Sequence, residues 1–178
     1  MGGALLRMLD LFSGLGGSSA AMRERGWKVI TVDNNPAFKP DIMVDIKDYH
    51  RFAGLSFDLV WASPPCEEFS REFMPWCRTG KEPSMELVKA AWWIIQELHP
   101  RFWVIENTRG AVKWFRPLLG PPAHISNPIY LWGNFPPFPK LRLKMRKEKM
   151  SSSWAAERAK IPYEVSLAMA LSIEGCLK

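Results

Sequence analysis

Short apolar runs bounded by turn-forming residues recur through the first two thirds of the chain. They are rich in the branched and aromatic side chains that favour buried strands. The runs that predict strands are LLRMLDLF at 5–12, KVITVD at 28–33, DIMVDI at 41–46, FDLVWA at 57–62 and RFWVIEN at 101–107. Helical patterns lie between several of them, and this alternation predicts an α/β fold with a mostly parallel sheet. Ligands of such sheets bind beyond the carboxyl ends of the strands.

Two of the helical patterns lie between these runs. Small, helix-compatible residues fill 16–26, where Gly26 supplies a C-terminal cap. The segment 84–99 follows the pattern of an amphipathic helix, with Ser84 as the predicted N-cap. Its apolar side is formed by Leu87, Ala91, Ile94, Ile95 and Leu98.

The last third of the chain predicts one more helix, IPYEVSLAMALSIEGC at 161–176, which begins at Pro162 because proline suits a first-turn position. The proline-rich stretches at 120–128 and 133–140 are interpreted as connections rather than as a hinge. With 178 residues, 47% of them hydrophobic, and no low-complexity linker, the chain is predicted to be a single domain spanning 1–178.

Hydropathy and cysteine usage both favour a soluble, cytoplasmic protein without a membrane partner. No sustained apolar stretch of signal-peptide or membrane length occurs in the sequence. Cys66, Cys77 and Cys176 are odd in number and form no CxxC pair, so they indicate neither a disulfide framework nor a metal site. Cys77 and Cys176 are interpreted as small residues without chemistry of their own.

The net charge of +6 is concentrated in one segment. KLRLKMRKEK at 140–149, here called the basic strip, holds six basic residues and one acidic residue, a net charge of +5. A concentrated patch of this kind is suited to contact phosphates, so nucleic acid is the expected partner. A solvated strand and loop is the alternative interpretation.

A glycine-rich turn follows the first predicted strand in LDLFSGLGGSSAA. Gly14, Gly16 and Gly17 allow the backbone to approach a ligand closely, and the next helix offers amide hydrogens to an anionic group. Asp33 ends the second strand, where an acidic side chain commonly binds the two hydroxyls of a ribose, and Asp45 ends the third. Together these features indicate a nucleoside-bearing cofactor. Taken singly, each also fits a ligand-free turn.

The stretch SPPCEEFS, at 63–70, holds a thiol in a stiff turn after the fourth strand. Pro64 and Pro65 fix their own backbone angles and restrict Ser63, so Cys66 is aimed in one direction. A thiol attacks as the thiolate, and backbone amides and cations at the open ends of strands could lower its pKa. A purely structural Pro-Pro-Cys turn is the alternative.

The fifth strand ends in FWVIENTRG, which places Glu106 and Asn107 after it. In a doubly wound sheet that strand brings both residues to the same edge as Cys66. A carboxyl beside a thiol provides an acid or base within reach of whatever the sulfur attacks. A simple strand-terminating turn remains the alternative.

These segments, in this order, resemble the motifs of the cytosine-5 methyltransferase family. DLFSGLGG is similar to its cofactor loop, PPCEEFS to its catalytic Pro-Pro-Cys-Gln-x-Phe-Ser loop, and ENTRG to its Glu-Asn-Val-x-Gly motif. The resemblance is strong over 9–110, and IPYEVSLAMA at 161–170 is similar to the family's terminal cofactor-side motif. It implies a Rossmann-like S-adenosylmethionine-dependent methyltransferase fold, with a mostly parallel central sheet and helices on both faces.

The resemblance also implies roles for individual residues. Asp33 would bind the ribose of S-adenosylmethionine, and Pro65 would lie beside its methyl-bearing end. The residues that it assigns to the cofactor are Phe12, Ser13, Gly14, Leu15, Gly17, Asp33, Asn34, Asp45, Ile46, Pro65 and Val165. Cys66 would attack carbon 6 of a cytosine, and Glu106 would hold the ring nitrogen and exocyclic amine, so that carbon 5 takes the methyl group.

The sequence departs from the family pattern at three places. Glu67 stands where the family usually has Gln, Thr108 where it has Val, and Pro162 and Tyr163 where it tends to have Gly-Asn. None of these changes removes a reacting group. Glu67, however, could repel a nearby phosphate and weaken the usual contact of this loop with nucleic acid.

The sequence has no room for the sizeable target-recognition region of fuller family members. Only about fifty residues separate ENTRG from IPYEVS. We expect the basic strip to supply the family's catalytic arginine, with Arg142 favoured by alternation and Arg146 as the other choice. Because phosphate contacts position a substrate without reading its sequence, weak or very short sequence preference is predicted.

The predicted function is methyl transfer from S-adenosylmethionine to carbon 5 of cytosine in DNA. One alternative is an RNA methyltransferase acting on transfer RNA, because the same motifs occur in such members of the family. Another is a noncatalytic nucleic-acid-binding or stimulatory homologue. A separate specificity protein and a homodimer are the partners left open, and association with a nucleoid or viral DNA is expected in a prokaryotic or phage setting.

Overall fold

The architecture is one seven-stranded sheet, seen in a computed structural model that describes residues 5–71, 79–144, 157 and 159–178. The spatial order of the strands is β3-β2-β1-β4-β5-β7-β6. Their bounds are β1 Arg7–Leu11, β2 Lys28–Asp33, β3 Ile42–Met43, β4 Leu59–Ala62, β5 Phe102–Asn107, β6 His124–Ser126 and β7 Ile129–Asn134. β1 to β5 are parallel, and β7 pairs antiparallel with both β5 and β6. The predicted mostly parallel sheet is confirmed.

Helices cover both faces of this sheet. Their bounds are α1 Ala20–Glu24, α2 Glu67–Ser70, α3 Glu86–Leu98, α4 Val112–Leu119 and α5 Tyr163–Cys176. The strands alternate between two apolar clusters, because successive side chains point to opposite faces. α3 and α4 pack on the face that includes Leu9 and Val60, whereas α1 and α5 pack on the face that includes Met8 and Trp61. The predicted fold class is therefore confirmed.

The parallel register gathers the motif-bearing segments at one edge of the sheet, here called the carboxyl edge. Leu11 is level with Ala62, and Ala62 is level with Ile105, so β1, β4 and β5 end side by side. The glycine-rich turn follows β1 and the Pro-Pro-Cys stretch follows β4, whereas the Glu-Asn pair forms the last two residues of β5 instead of following it as predicted. Their predicted convergence is what the topology produces.

Two elements are shorter than predicted. The strand predicted over 41–46 reduces to β3. The bond from Val44 N to Asp33 O reaches the last residue of β2, and the chain then turns at Asp45. The helix predicted over 16–26 begins only at Ala20, since the glycine-rich turn extends further along the chain. Gly26 lies just beyond its C-cap with a φ of +82°, the left-handed conformation expected after a helix end.

Interpreting the proline-rich stretch 120–128 as a connection was wrong, whereas 133–140 is a connection after its first two residues. The stretch 120–128 contains β6, and 133–140 begins with the last residues of β7. β6 is an edge strand, where neighbouring prolines interrupt no ladder of hydrogen bonds, so this composition is tolerated. Two predicted helix starts also differ by one or two residues. α3 follows Met85 rather than Ser84, and Pro162 immediately precedes α5 instead of beginning it.

Some sequence predictions concern residues outside the described ranges. Cys77 and Arg146 are among them, together with the rest of the basic strip beyond Lys144. Cys176, at the end of α5, is exposed. Across the ranges that are described, no helix has the length and apolar character needed to cross a membrane.

Candidate active site

The glycine loop, defined as residues 12–19, folds over the ends of β1 and β2. Phe12, Gly14 and Gly16 have φ values of +59°, +49° and +70°, so three left-handed residues turn the chain tightly. Ser13 N donates to Val32 O at 3.0 Å, and Gly16 N donates to Ser13 O at 2.7 Å. The predicted strand-to-helix turn is therefore present and held by its own backbone.

Asp33 links the glycine loop to the end of β2. Its Oδ2 accepts a hydrogen bond from Gly14 N at 2.9 Å, and its Oδ1 accepts one from Asn35 N at 2.9 Å. Each carboxylate oxygen has a further lone pair, so the half-buried Asp33 can also accept the hydroxyls of a ribose. Leu15, at the tip of the loop, is 41% exposed and offers an apolar surface beside this carboxylate. The arrangement fits a nucleoside-bearing cofactor.

The other predicted cofactor residues lie along the same edge with different exposure. Asn34 and Pro65 are exposed, whereas Ile46 is buried in the core. Asp45 is half-buried, accepts a hydrogen bond from Lys47 N at 3.0 Å and forms an ion pair with its side chain at 3.6 Å. Asn34, Asp45 and Pro65 thus remain accessible to a ligand, while Ile46 could contribute only through its backbone.

Asp10 anchors the glycine loop from below and was not singled out from the sequence. It is fully buried, and Ser18 Oγ donates to its two carboxylate oxygens at 2.7 and 2.8 Å. Burial raises the pKa of Asp10 to about 6, against the lowering effect of the serine hydrogen bonds. The available signal was a charged residue inside the apolar run LLRMLDLF.

α5 closes the glycine loop from the other side. Ser166 Oγ donates to Ser18 O at 2.7 Å and accepts from Ala21 N at 3.1 Å. Val165, predicted at the cofactor, is buried in the cluster beneath the loop. Tyr163, at a position where the sequence departs from the family pattern, donates to Glu24 Oε2 at 2.6 Å. α5 is thus bonded directly to the loop and to α1.

Gly17 has a packing role at this contact. A Cβ built on Gly17 would lie 2.7 Å from Ile161 N and closer still to Ile161 O, so only glycine fits against this backbone. We therefore expect Gly17→Ala to force the chain before α5 away from the loop and to lower the free energy of unfolding by about 2–3 kcal/mol. Urea denaturation followed by tryptophan fluorescence measures this loss.

Gly175→Ala is the matched control for this substitution. Gly175 lies inside α5, and a methyl group added there would meet no atom within 4 Å. Because alanine favours a helix, stability should be unchanged or slightly higher. Equal unfolding midpoints for Gly17→Ala and the wild-type protein would show that the loop and α5 do not pack as closely as described.

The Pro-Pro-Cys loop, residues 63–70, is fastened to the end of β5. Asn107 Nδ2 donates to Pro64 O at 3.0 Å, which fixes the first proline against the Glu-Asn pair. The hydroxyls of Ser70 and Thr108 are 3.2 Å apart and hydrogen-bonded. Thr108 stands where the family has Val, so this departure adds a bond between the two motifs. The predicted proximity of the Pro-Pro-Cys loop and the Glu-Asn pair is confirmed.

Glu106 is a buried carboxyl with one polar support. It is 8% exposed, and burial raises its pKa to about 7, while a hydrogen bond with Ser63 acts in the opposite direction. Ser63 is itself oriented by Trp61, whose Nε1 donates to Ser63 Oγ at 2.9 Å. Near neutral pH, Glu106 is therefore close to half protonated and can either donate or accept a proton. Sequence reasoning did not identify Ser63 as its partner.

Cys66 shares this environment, and its pKa shifts in the direction opposite to our prediction. Burial raises the pKa of the Cys66 thiol, and the negative charge of Glu106 raises it further. The hydrogen bond from Ser70 lowers it, but this effect is smaller. A pKa lowered by amides and cations was expected from the loop's position at strand ends, but burial of the thiol, followed by the charge of Glu106, outweighs the lowering hydrogen bonds. The resting thiol is protonated at neutral pH.

Arg142 does not reach this pair in the described residues. Leu141 and Leu143 are half-buried against the core while Arg142 and Lys144 are exposed, so the predicted alternation is confirmed. Leu141 N donates to Ser126 Oγ at 2.8 Å, which brings the start of the strip to the end of β6 and hence to the carboxyl edge. Within the described ranges, no hydrogen bond or ion pair links Arg142 to Cys66 or Glu106, and its catalytic role stays a prediction.

Comparison with known proteins places the three motifs in one family model. Residues 6–114 match the model described as C-5 cytosine-specific DNA methylase. A probable DNA (cytosine-5)-methyltransferase of Frog virus 3 is 32% identical over 117 residues, covering 57% of this chain and 53% of the relative. The type II methyltransferase M.AquIA of Picosynechococcus is 25% identical over 128 residues, covering 61% and 50%. The chain spans about half the length of these curated relatives.

Solved structures overlap the chain more loosely. The methyltransferase EhMeth of Entamoeba histolytica covers 84% of this chain and 58% of its own, with 18% identity and a TM-score of 0.49. A putative DNA modification methyltransferase from an E. coli prophage covers 63% and 35%, with 21% identity and a TM-score of 0.45. The assignment of the fold rests on the strand order and the helix layers of this chain itself.

Proposed function

The chain belongs to the C-5 cytosine-specific DNA methylase family, and from this premise we propose that it methylates carbon 5 of cytosine in DNA through a covalent bond to Cys66. Its cofactor is S-adenosylmethionine. One observation carries the proposal. Cys66 and Glu106 lie close enough at the carboxyl edge for the carboxylate to raise the pKa of the thiol, and the glycine loop ends at the same edge.

The glycine loop and its neighbours are suited to hold this cofactor. Asp33 would accept the ribose hydroxyls, Leu15 would cover an apolar part of the molecule, and Asp45 would lie near the adenine. When bound, S-adenosylmethionine supplies a methyl group activated by a positively charged sulfur. Pro65 is exposed directly before Cys66, which suits a position between the cofactor and the target base.

The Cys66 sulfur would make an otherwise unreactive ring nucleophilic. An aromatic cytosine is a poor methyl acceptor, but a thiolate that adds to carbon 6 breaks the conjugation and moves electron density to carbon 5. After carbon 5 carries the methyl group, its proton passes to solvent water, the thiolate leaves carbon 6 and the ring nitrogen returns its proton to Glu106, which restores the ring. The sulfur is thus recovered unchanged.

Glu106 would stabilise the electron density that the sulfur pushes into the ring. In its neutral form the carboxyl donates its proton to the ring nitrogen, and its other oxygen accepts a hydrogen bond from the exocyclic amine. Burial favours this neutral form, because it raises the pKa of Glu106 to about 7. The environment of Glu106 therefore supports the form that the chemistry requires.

Incubation with labelled S-adenosylmethionine and a panel of duplex DNA, single-stranded DNA and RNA tests the proposal. A base in a duplex must leave the stack at a cost of a few kcal/mol, so the single strand is a needed comparison. We expect 5-methyldeoxycytidine on nucleoside analysis of the DNA. Label confined to RNA would overturn the DNA assignment, and cofactor binding without any labelled nucleoside would indicate the noncatalytic homologue.

A further inference from the structure

A groove runs from the Pro-Pro-Cys loop along the start of α4. It consists of two adjoining cavities of about 310 and 890 Å³, which share Arg109, Gly110 and Tyr130. The smaller cavity is lined by Ser70 and Thr108, the two hydroxyl residues that join the loop to the end of β5. The larger cavity extends from there along α4. We call the combined feature the α4 groove.

The α4 groove is positively charged. Its described lining contains four basic side chains and one acidic side chain, all of them exposed: Lys81, Arg109, Lys113, Arg116 and Glu82. The positions 109, 113 and 116 are spaced by four and three residues across a 3₁₀ turn that continues into α4, so they share one side of the helix. Such a row of cations along a groove matches the phosphates of a nucleic-acid strand.

An aromatic surface lies among these cations. Trp114 is half-buried, packed against the core on one side, and Lys113 Nζ is 4.5 Å from the centroid of its ring. Tyr130, at the start of β7, lines the floor where the two cavities meet. Aromatic rings interleaved with cations are the usual means of holding a single strand, because every base can stack on a ring.

The α4 groove and residues 140–144, the described part of the basic strip, lie on opposite faces of the sheet. α4 packs on one apolar cluster, whereas Leu141 and Leu143 pack on the other. Both features reach the carboxyl edge near the turn between β6 and β7, since Asn127 lines the smaller cavity and Ser126 accepts from Leu141 N. A substrate centred at Cys66 would therefore meet cations from two directions.

We propose that the α4 groove binds the strand that flanks the target cytosine. Phosphates would lie on Lys81, Lys113 and Arg116, and one unstacked base would replace the Lys113 ammonium over the Trp114 ring. This inference rests on the proposed function, since it places the target base at the Cys66 end of the groove. It extends that function by assigning a nucleic-acid surface separate from the basic strip and from the cofactor site.

The double substitution Lys113→Ala with Arg116→Ala tests the phosphate contacts. Both side chains are exposed, so the fold should be unaffected. The matched control, Lys28→Ala with Arg101→Ala, removes the same charge from exposed positions at the opposite edge of the sheet, where β2 and β5 begin. Fluorescence anisotropy with labelled duplex and single-stranded cytosine oligonucleotides, from 50 to about 300 mM salt, measures Kd without requiring catalysis.

We expect the groove variant to raise Kd at least about tenfold at low salt and to reduce the slope of log K against log salt by about 1.4 to 1.8. The control should match the wild-type protein, and the Kd for S-adenosylmethionine should be unchanged in all three. Trp114→Ala should weaken nucleic-acid binding with little change in the salt slope. Trp93→Ala, at an exposed position on α3, should leave the binding unchanged. Thermal melting of Trp114→Ala checks its fold.

An unchanged Kd and salt slope in the groove variant, or equal losses in the control, would overturn the inference. Binding of an acidic protein at these cations with unchanged nucleic-acid affinity would also overturn it. If the wild-type protein binds nucleic acid and the variant does not, but no methyl group is transferred, the proposed function fails and the groove assignment holds. If the wild-type protein methylates cytosine and the groove variant binds nucleic acid as well as the wild type does, the proposed function holds and the groove assignment fails.

Discussion

Replacing Cys66 by serine is expected to abolish methyl transfer, with a loss of at least about a thousandfold in rate, while cofactor binding is retained. A hydroxyl is a far weaker nucleophile than a thiolate and cannot form the bond at carbon 6 at a useful rate. The loop that carries Cys66 is held by the bond from Asn107 to Pro64 O and by the Ser70–Thr108 hydroxyl pair, and a serine hydroxyl can still bond to Ser70, so the substitution should leave that loop in place. Transfer of label to DNA and titration with S-adenosylmethionine measure the two properties.

Cys176→Ser is the matched control, because Cys176 is exposed at the end of α5 and far along the chain from the reacting groups. DNA containing 5-fluorocytosine provides a direct test of the bond itself. Fluorine at carbon 5 cannot leave as a proton does, so the adduct with Cys66 should persist and be visible as a protein–DNA band that resists detergent. Full activity of Cys66→Ser would exclude the covalent route.

Glu106→Gln is expected to lower the rate by about 10² to 10⁴-fold and, at the same time, to stabilise the protein at alkaline pH. Glutamine retains the shape of the side chain but cannot give a proton to the ring. The gain in stability has a separate cause. The pKa of Glu106 is about 7 in the folded chain against an ordinary 4.5, because the carboxylate is buried. Ionising it therefore opposes folding.

The pH dependence of stability follows from the same shift. Between pH 4.5 and 7 the folded protein holds the Glu106 proton more tightly than the unfolded chain does, so the free energy of unfolding falls as pH rises through this window. The loss reaches about 3 kcal/mol and is complete somewhat above pH 7. Glu106→Gln should equal the wild-type protein near pH 4 and exceed it at pH 8.

Urea denaturation at intervals between pH 4 and 8 measures this difference. Asp10, whose pKa is raised to about 6 by burial, causes its own fall in stability at lower pH, but it does so in both proteins. The difference between the two curves therefore isolates Glu106. Parallel curves for the variant and the wild-type protein would show that the carboxyl does not have the buried environment described.

The reactive pair also explains why an unactivated thiol is compatible with catalysis. In the proposed mechanism the productive state requires a Cys66 thiolate together with a neutral Glu106, whereas the pKa shifts favour a thiol beside a carboxylate above about pH 7. Both states contain one proton, so moving it between the groups changes no net charge. A cytosine that accepts a hydrogen bond from the neutral carboxyl of Glu106 would shift the equilibrium toward the Cys66 thiolate.

Much of the carboxyl edge was predictable because its parts are local in sequence. Buried parallel strands appear as continuous apolar runs, and β1, β2, β4 and β5 all lie within predicted segments. Each of these residues lies in the last positions of its strand or shortly after it, so the topology alone brings Asp33, Cys66 and Glu106 to one edge. These three positions needed no knowledge of packing.

Other features depend on contacts that local patterns do not encode. β6 and β7 were missed because prolines flank β6 and a glycine lies within β7, which obscures the strand pattern. Their antiparallel pairing depends on the rest of the sheet. The direction of the Cys66 pKa shift depends first on how deeply Cys66 is buried and then on the nearby charge of Glu106, and both are tertiary properties. The packing role of Gly17 depends on Ile161, which is distant in the sequence.

The hydrogen bond between α5 and the glycine loop affects when this loop can form during translation of the chain. Ser18 and Ser166 are 148 residues apart, yet the hydrogen bond between them helps to fix the glycine loop. A nascent chain that has left the ribosome only as far as α4 already contains Cys66 and Glu106 but lacks the helix that closes this loop. If the glycine loop binds the methyl donor as proposed, capture of the donor during translation is disfavoured, and the proposed methyl transfer should begin only after α5 has emerged.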